Sequence, residues 1–349
     1  MVIRILKRTA TNLYRKLIPR LSLGALERFA PRDVVGFGYH LVSDKPVPYI
    51  RHLYSYKTPA EFEADVIYLK GRYQLPTWSE FLRNRAERRP SRRPCAILSF
   101  DDGLSQCFDF VRPILLKHRV PCIFFICKGF VDNHRMFYRH KASLCLERII
   151  TAPDAERSEL LRHAGEAFGL GQFSAEGFVT WIKGLRMADE GSIDRICDVF
   201  DLDMTDELQR RKPYMTMQQI QQLAADGFTI GGHSLRHEHL SFMGNSVVER
   251  EIVESCKFVS QVIETNDVPF AFPFDGLHID RQFLRSVRDR HPFIRVMFDR
   301  MNIAEDAPFI INRIPADTPS GMPPGQSGLQ HLTQKVYAHH LCRQPRWRI

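Results

Sequence analysis

CAILSFDDG, residues 95–103, is a short apolar run of strand type that ends at two adjacent carboxylates, Asp101 and Asp102. Gly103 breaks the strand directly after them, since glycine punctuates regular structure. In parallel α/β folds, open or barrel-shaped, the groups that bind and react gather beyond the carboxyl ends of the strands. The stretch therefore predicts a parallel α/β protein with a pair of acids at the reactive end of its sheet.

A second stretch, GFTIGGHSLRH at residues 227–237, repeats this arrangement with histidines. Its strand-like half is followed by two glycines, which free the backbone to turn before His233. His237 comes four residues later, a step that allows two imidazoles on one face of a turn. His239 lies two residues further on and is interpreted as a neighbour of the pair. We expect both stretches to converge at the same end of the sheet.

The chemistry of these side chains predicts a metal-dependent hydrolase. Adjacent carboxylates in a turn point in different directions, so one can bind a metal while the other accepts a proton from water. Two histidines and one carboxylate leave a coordination position open, as in catalytic zinc sites. Such a metal lowers the pKa of its water toward ~7, and a free carboxylate then acts as general base. Taken alone, the Asp-Asp-Gly motif is also compatible with a solvated turn, and the two histidines with a chance pair.

The two motifs resemble those of the polysaccharide deacetylase family, the NodB-type carbohydrate esterases of family four. In that family the first motif is Thr/Ser-Phe-Asp-Asp-Gly and the second is His-Ser/Thr-x-x-His. FAFPFDG, residues 270–276, resembles its third motif, in the branch that carries alanine where many members have arginine. The resemblance covers residues 33–130 and 213–316. It implies a distorted (β/α)7 barrel that removes an acetyl group from an N-acetylated amino sugar of a glycan or glycan precursor.

The resemblance also implies roles for individual residues. Asp101 would be the catalytic base. The implied ligands of a divalent metal, with Zn²⁺ as the expected ion, are Asp102, His233 and His237. The implied lining of the substrate groove consists of Phe272, Pro273 and Phe274.

Ala271 stands where many relatives carry the arginine that pairs with the base and sets its pKa. We hypothesise that Arg313, in the strand-like run FIINRIP at residues 309–315, takes this role from another strand. The alternative is a structural or surface arginine.

Three histidines compete for the role of the general acid that protonates the leaving amine. His40 follows the strand-like run VVGFGY at residues 34–39, His278 follows the third motif, and His331 lies in a polar tail. We favour His40 because it lies at the end of a predicted strand. A hydrogen-bonded structural histidine is the alternative interpretation of His40.

The order of apolar and polar segments divides the chain. Residues 33–133 and 213–320 are predicted to form the barrel, and 134–212, which are polar and helix-forming, a helical insertion. This insertion could cover the active site and select the substrate, or serve as a contact surface. Residues 1–32 are predicted to form a basic N-terminal helical segment, and residues 321–349 a C-terminal tail.

Composition narrows the class of protein. With 349 residues, 44% of them hydrophobic and 26% charged, the chain can bury a large core. Its longest apolar run, Cys122–Cys127, is far shorter than the ~20 residues of a membrane span. Charged residues interrupt the apolar residues at the start of the sequence, so the apolar core of a signal peptide cannot form there. The eight scattered cysteines are interpreted as reduced thiols. We therefore expect a cytoplasmic protein.

The net charge of +9 is densest in residues 3–28. This pattern fits an amphipathic helix in peripheral contact with an anionic membrane, or a basic helix packed on the barrel. The charge could also hold the phosphates of a nucleotide-linked or lipid-linked sugar. Nucleic acid is not an expected partner, because no recognisable nucleic-acid module accompanies the basic residues.

Two other functions fit the same motifs. One is a hydrolase of this fold that cleaves another non-peptide carbon–nitrogen bond, such as that of a cyclic amide or a formamide. The other is a catalytically impaired barrel that only binds glycans.

Overall fold

A computed structural model describes residues 18–30, 32–87, 93–299, 303, 306–319, 321–323 and 325–343. Most of the predicted basic N-terminal segment, residues 1–17, lies outside this part of the chain. Among the described residues, no helix is long and apolar enough to cross a membrane.

Seven parallel strands close into a barrel in chain order, with the last strand pairing with the first. This confirms the predicted (β/α)7 barrel. The strands are β1 Val34–Tyr39, β2 Cys95–Phe100, β3 Ile123–Ile126, β4 Thr229–Gly232, β5 Phe270–Ala271, β6 Met297–Asp299 and β7 Ile310–Pro315.

Successive side chains of a strand point to opposite faces, and here both faces are buried. In β2, Leu98 and Phe100 belong to the large core between the strands and the helices, whereas Ile97 belongs to a smaller cluster with Phe125 and Phe298. The second cluster lies inside the barrel. Because residues two apart share a face, the alternation carries Ser99 and Asp101 toward the inside with Ile97.

Helices connect and surround the strands. They are α1 Leu23–Phe29, α2 Pro59–Arg72, α3 Trp78–Ala86, α4 Arg112–His118, α5 Tyr138–Thr151, α6 Asp154–Phe168, α7 Ala175–Gly184, α8 Glu190–Val199, α9 Met204–Arg211, α10 Met217–Ala225, α11 Asn245–Val262, α12 Arg281–Arg290 and α13 Leu329–Arg343. Thr58, which precedes Pro59, and Thr216 are predicted from the sequence to be helix caps, and the structure confirms both. Thr58 caps α2 and Thr216 caps α10, each in a capping box with the residue three positions later.

The segment predicted as a helical insertion holds α5 to α9. These helices surround a separate core that includes Leu144, Phe178, Ile193 and Phe200. The same core takes in Tyr49 and other residues of the loop after β1. The insertion therefore packs directly on loops at the carboxyl end of the barrel.

Part of the predicted C-terminal tail is the helix α13. Its residues Leu329, Tyr337 and Leu341 are buried in the main core together with Leu23 and Leu26 of α1. The apolar residues of α13 recur at helical spacing, so burial of that face against α1 stabilises both helices.

Candidate active site

The two motifs converge at the carboxyl ends of β2 and β4. Nε2 of His233 lies 3.4 Å from Oδ1 of Asp102, and Nε2 of His237 lies 3.1 Å from the same oxygen. All three residues are buried, and their ligand atoms lie within 4.8 Å of one another. The spacing is that of a three-ligand metal site.

The hydrogen bonds of these residues test whether a cation fits between them. Nδ1 of His233 lies 2.9 Å from the carbonyl oxygen of Ala271, which can only accept, so Nδ1 carries the proton and Nε2 presents a lone pair. Burial lowers the pKa of His237 and keeps its imidazole neutral. Within the described structure Oδ1 of Asp102 receives no hydrogen bond. Acceptor atoms that converge in a buried site fit a cation.

Unusual backbone angles place the ligands. Asp102 has φ 71° and is followed by Gly103 at φ 70°, while Ser234 and His237 have φ 65° and 60°. Residues with a side chain rarely adopt such angles, which cost of order 1–3 kcal/mol each and cluster at functional sites. Asp102 faces the two histidines whereas Asp101 contacts Arg313, so the two adjacent acids point in different directions, as the sequence predicted.

Asp101 is held by a two-pronged ion pair inside the barrel. Nη1 and Nη2 of Arg313 donate to Oδ1 and Oδ2 of Asp101 at 2.6 and 2.8 Å, and both residues are buried. Nη1 of Arg313 also donates to Oγ of Ser99 at 2.9 Å. Burial raises the pKa of Asp101, but the charge and hydrogen bonds of Arg313 lower it by more. The pKa therefore lies below its ordinary value, and Asp101 is ionised at neutral pH.

Closure of the barrel and one glycine make room for this arginine. Gly36 of β1 pairs with Arg313 of β7, and a Cβ at Gly36 would lie 2.6 Å from Cγ of Arg313. Any larger residue at this position would displace the arginine side chain. The guanidinium also lies over the rings of Phe125 and Phe298, at 5.3 and 5.9 Å from their centroids.

His40, at the end of β1, forms a pair with Asp317, which follows β7. Nδ1 of His40 lies 2.8 Å from Oδ2 of Asp317, and the backbone N–H of His40 donates to Oδ1 at 2.7 Å. Burial lowers the pKa of His40, but Asp317 raises it by more, with smaller contributions from Asp102 and Asp101, to about 9. The imidazole is thus protonated at neutral pH, and 24% of its side chain is exposed.

The sequence that carries the ligand trio matches a known protein family. A family model described as "Polysaccharide deacetylase" matches residues 88–289, more than half of the chain. The chain belongs to the polysaccharide deacetylase family. Membership indicates an enzyme that deacetylates a glycan. No curated protein gives a significant match to the sequence.

Solved structures share the fold of this deacetylase at low sequence identity. The Streptococcus pyogenes deacetylase PplD in complex with acetate is 13% identical, with a TM-score of 0.52 over 86% of this chain and 97% of that one. IcaB from Ammonifex degensii is 15% identical, with a TM-score of 0.51 over 86% and 97%. A de-N-acetylase from Aggregatibacter actinomycetemcomitans is 12% identical, with a TM-score of 0.52 over 86% and 99%. At these identities the likeness concerns the fold alone.

The other candidate histidines of the deacetylase lie apart from the three ligands. His331 is exposed on α13, and His278 is exposed beside Phe242 at a centroid distance of 5.9 Å. His239 packs on the ring of Phe274 at 4.7 Å, and its Nε2 lies 3.5 Å from Asp275. His239 does not join the cluster of ligand atoms.

The third motif splits into a buried and an open part. Phe272 is 2% exposed and packs in the main core, and Pro273 is also buried, so these two do not line a groove as the resemblance implied. The strand before them directs Phe272 into the core. Phe274, with φ 60°, is partly exposed, and its ring centroid lies 4.8 Å from that of His237. Of the three, Phe274 alone borders the ligand cluster.

Sequence reasoning missed two residues of this site. Asp317 follows a strand end, as Asp101 does, so the same rule could have found it. Phe137 precedes α5 and packs on His237 with ring centroids 4.6 Å apart. Its backbone N–H donates to the hydroxyl of Tyr214 at 2.9 Å, which fixes the start of the insertion beside the site. No local pattern distinguishes Phe137 from an ordinary core residue.

Proposed function

We propose that the protein is a metal-dependent hydrolase that removes the acetyl group from an N-acetylated amino sugar of a glycan or glycan precursor. The observation that carries this proposal is the buried trio of Asp102, His233 and His237 beside Asp101, an ionised carboxylate that is not one of the three. Family membership supports the glycan deacetylation, and the geometry supports the metal.

Asp102, His233 and His237 would hold a divalent cation, and Zn²⁺ suits one carboxylate and two imidazoles. When bound, the cation would polarise the amide carbonyl and lower the pKa of the attacking water. Outer contacts keep the ligands in place. The Ala271 carbonyl orients His233, and Glu251 accepts the backbone N–H of Leu235 at 2.8 Å between the two histidines.

Asp101 acts as the general base in this mechanism. Its carboxylate accepts the proton of the attacking water, and the fork of Arg313 fixes its orientation. Arg313 thus takes the role that an arginine at the position of Ala271 has in many relatives. The ion pair lowers the basicity of Asp101 but guarantees that the carboxylate is ionised in a buried site.

His40 acts as the general acid. Its protonated imidazole donates to the leaving nitrogen as the carbon–nitrogen bond breaks, so that the amine departs as a neutral group. A pKa of about 9 is close to that of an amine, which suits proton transfer between the two. Asp317 stabilises the charged imidazole before the transfer.

Acetate and amine release tests the function. Purified, metal-analysed protein is incubated with N-acetylated amino sugars that are free, glycan-linked, nucleotide-linked or lipid-linked, alongside cyclic amides and formamides. Acetate release from one of the sugars supports the proposal. Turnover of the cyclic amides or formamides alone would point to the other carbon–nitrogen hydrolase, and bound metal without any turnover to a glycan-binding barrel.

Replacement of Arg313 changes the pH dependence of this reaction. We expect Arg313→Ala to raise the pKa of Asp101, because burial then acts without the compensating charge. Activity is lost as pH falls through that pKa, so the acidic limb of the pH–rate profile moves to higher pH. The buried unpaired carboxylate also destabilises the fold, by about 3–5 kcal/mol. An unmoved acidic limb in folded Arg313→Ala protein would exclude this role.

Replacement of Asp317 changes the alkaline limb of the pH–rate profile. Asp317→Asn removes the charge that raises the pKa of His40, so the pKa falls toward its ordinary value near ~6.5. The acid is lost as pH rises through that pKa, and activity at about pH 8 is expected to drop about tenfold or more. The matched control is Asp44→Asn, at an exposed position in the loop after His40. Equal profiles for the two variants would contradict the assignment of His40.

A further inference from the structure

Arg139 is an exposed cation on the first turn of α5, at the edge of the active site. Its guanidinium carbon lies 4.9 Å from the ring centroid of Phe274. The ring of Phe274 in turn lies 4.8 Å from that of His237. Two ring contacts therefore join Arg139 to a residue of the ligand trio.

The donors of Arg139 are largely unused. Nε donates to the hydroxyl of Tyr138 at 3.1 Å. Among the described residues, no carboxylate pairs with Arg139 and no acceptor contacts its two terminal nitrogens. Its neighbours differ, since Arg135 and Arg236 both pair with Glu190. Arg139 therefore presents an uncompensated positive charge to solvent beside the site.

This geometry suits recognition of an oxyanion. A guanidinium offers parallel N–H donors that match the oxygens of a phosphate or carboxylate. Contact with the Phe274 ring restrains the side chain, so less conformational entropy is lost when a ligand binds. A neutral sugar would leave this charge without a partner.

We propose that Arg139 is a specificity-determining residue that binds an oxyanion of the substrate close to the acetylated sugar. The inference rests on the proposed function and deepens it. The oxyanion is either a phosphate that links the sugar to a carrier or a carboxylate of an acidic neighbouring sugar. Both present the same chemistry to the guanidinium, and the substrate class is therefore anionic.

Three probes test the charge preference and distinguish its sources. N-acetylglucosamine 1-phosphate carries a phosphate, an oligosaccharide of alternating N-acetylglucosamine and glucuronate carries carboxylates, and N-acetylated chitotetraose is neutral. The wild type, Arg139→Ala and Arg195→Ala are compared by acetate release. Arg195 is the matched control, because this exposed arginine of the insertion lies over the ring of Phe168 rather than that of Phe274. Probes that the wild type does not hydrolyse are measured as ligands by calorimetry.

We expect the ratio of kcat/KM, or of affinity, between one charged probe and chitotetraose to fall about tenfold in Arg139→Ala and to stay unchanged in Arg195→Ala. The preference should also weaken as salt is raised, because the contact is exposed. The charged probe that loses most identifies the source of the oxyanion. An unchanged ratio, an equal loss for all probes, or no charge preference in the wild type would overturn the inference. A charge preference that depends on Arg139 without acetate release would instead refute the proposed function alone.

Discussion

Asp101→Asn is expected to lower kcat by about 10²–10⁴-fold while the metal content of the protein stays the same. The amide has nearly the shape of the carboxylate, but it cannot accept the proton of the attacking water. Asp101 is not one of the three convergent ligands, so their geometry should survive. The measurement is acetate release at saturating substrate, together with metal analysis of the same sample.

Asp109→Asn is the matched control for this variant, since Asp109 is an exposed acid eight positions after Asp101 and carries none of the proposed roles. It should retain the activity of the wild type. Asp101→Asn also leaves the buried Arg313 without its ion-pair partner, which destabilises the protein. A thermal melt therefore accompanies the assay. Full activity of a folded, metal-loaded Asp101→Asn enzyme would refute the general-base assignment.

His237→Ala is expected to abolish metal binding and activity together. Loss of an outer partner of a metal ligand already costs 10–100-fold in affinity, so loss of a ligand should cost more than about 100-fold. The side chain is buried between Phe137 and Phe274, and its removal leaves a cavity as well. Metal titration of chelator-treated protein measures the affinity, and acetate release measures the activity.

His239→Ala is the control that distinguishes the loss of a metal ligand from the loss of a packed imidazole. His239 lies two residues from His237 and contacts the same phenylalanine, but it stays outside the ligand cluster. Its variant should bind one metal ion as tightly as the wild type. If His239→Ala loses the metal and His237→Ala keeps it, the ligand assignment is wrong.

The sequence was sufficient for the barrel, through the family resemblance of its motifs, and for the location of the reactive end, through its strand pattern. Apolar strand runs that stop at Asp101 and at Gly231 place polar groups where parallel strands end, whatever the rest of the chain does. The helix starts at Thr58 and Thr216 were also readable, because a cap depends only on residues within one turn. The polar, helix-forming composition of residues 134–212 likewise indicated a helical insertion.

The sequence was less informative about which residues line the substrate groove. All three residues of the third motif looked like groove residues, yet Phe272 and Pro273 are buried and Phe274 alone borders the ligand cluster. The direction of a side chain after a strand depends on the backbone turn, here φ 60° at Phe274. The position of the insertion beside His237 also had no local signal.

What the sequence determined by itself is the set of chemical groups and the strand ends that carry them, because these follow from local composition and spacing. Only the tertiary structure decided which distant groups meet. Arg313 reaches Asp101 across 212 positions and Asp317 reaches His40 across 277. Both contacts exist because the barrel closes, with β7 beside β1 and Gly36 leaving room for the arginine. Closure depends on the packing of the whole barrel, which no single stretch of sequence encodes.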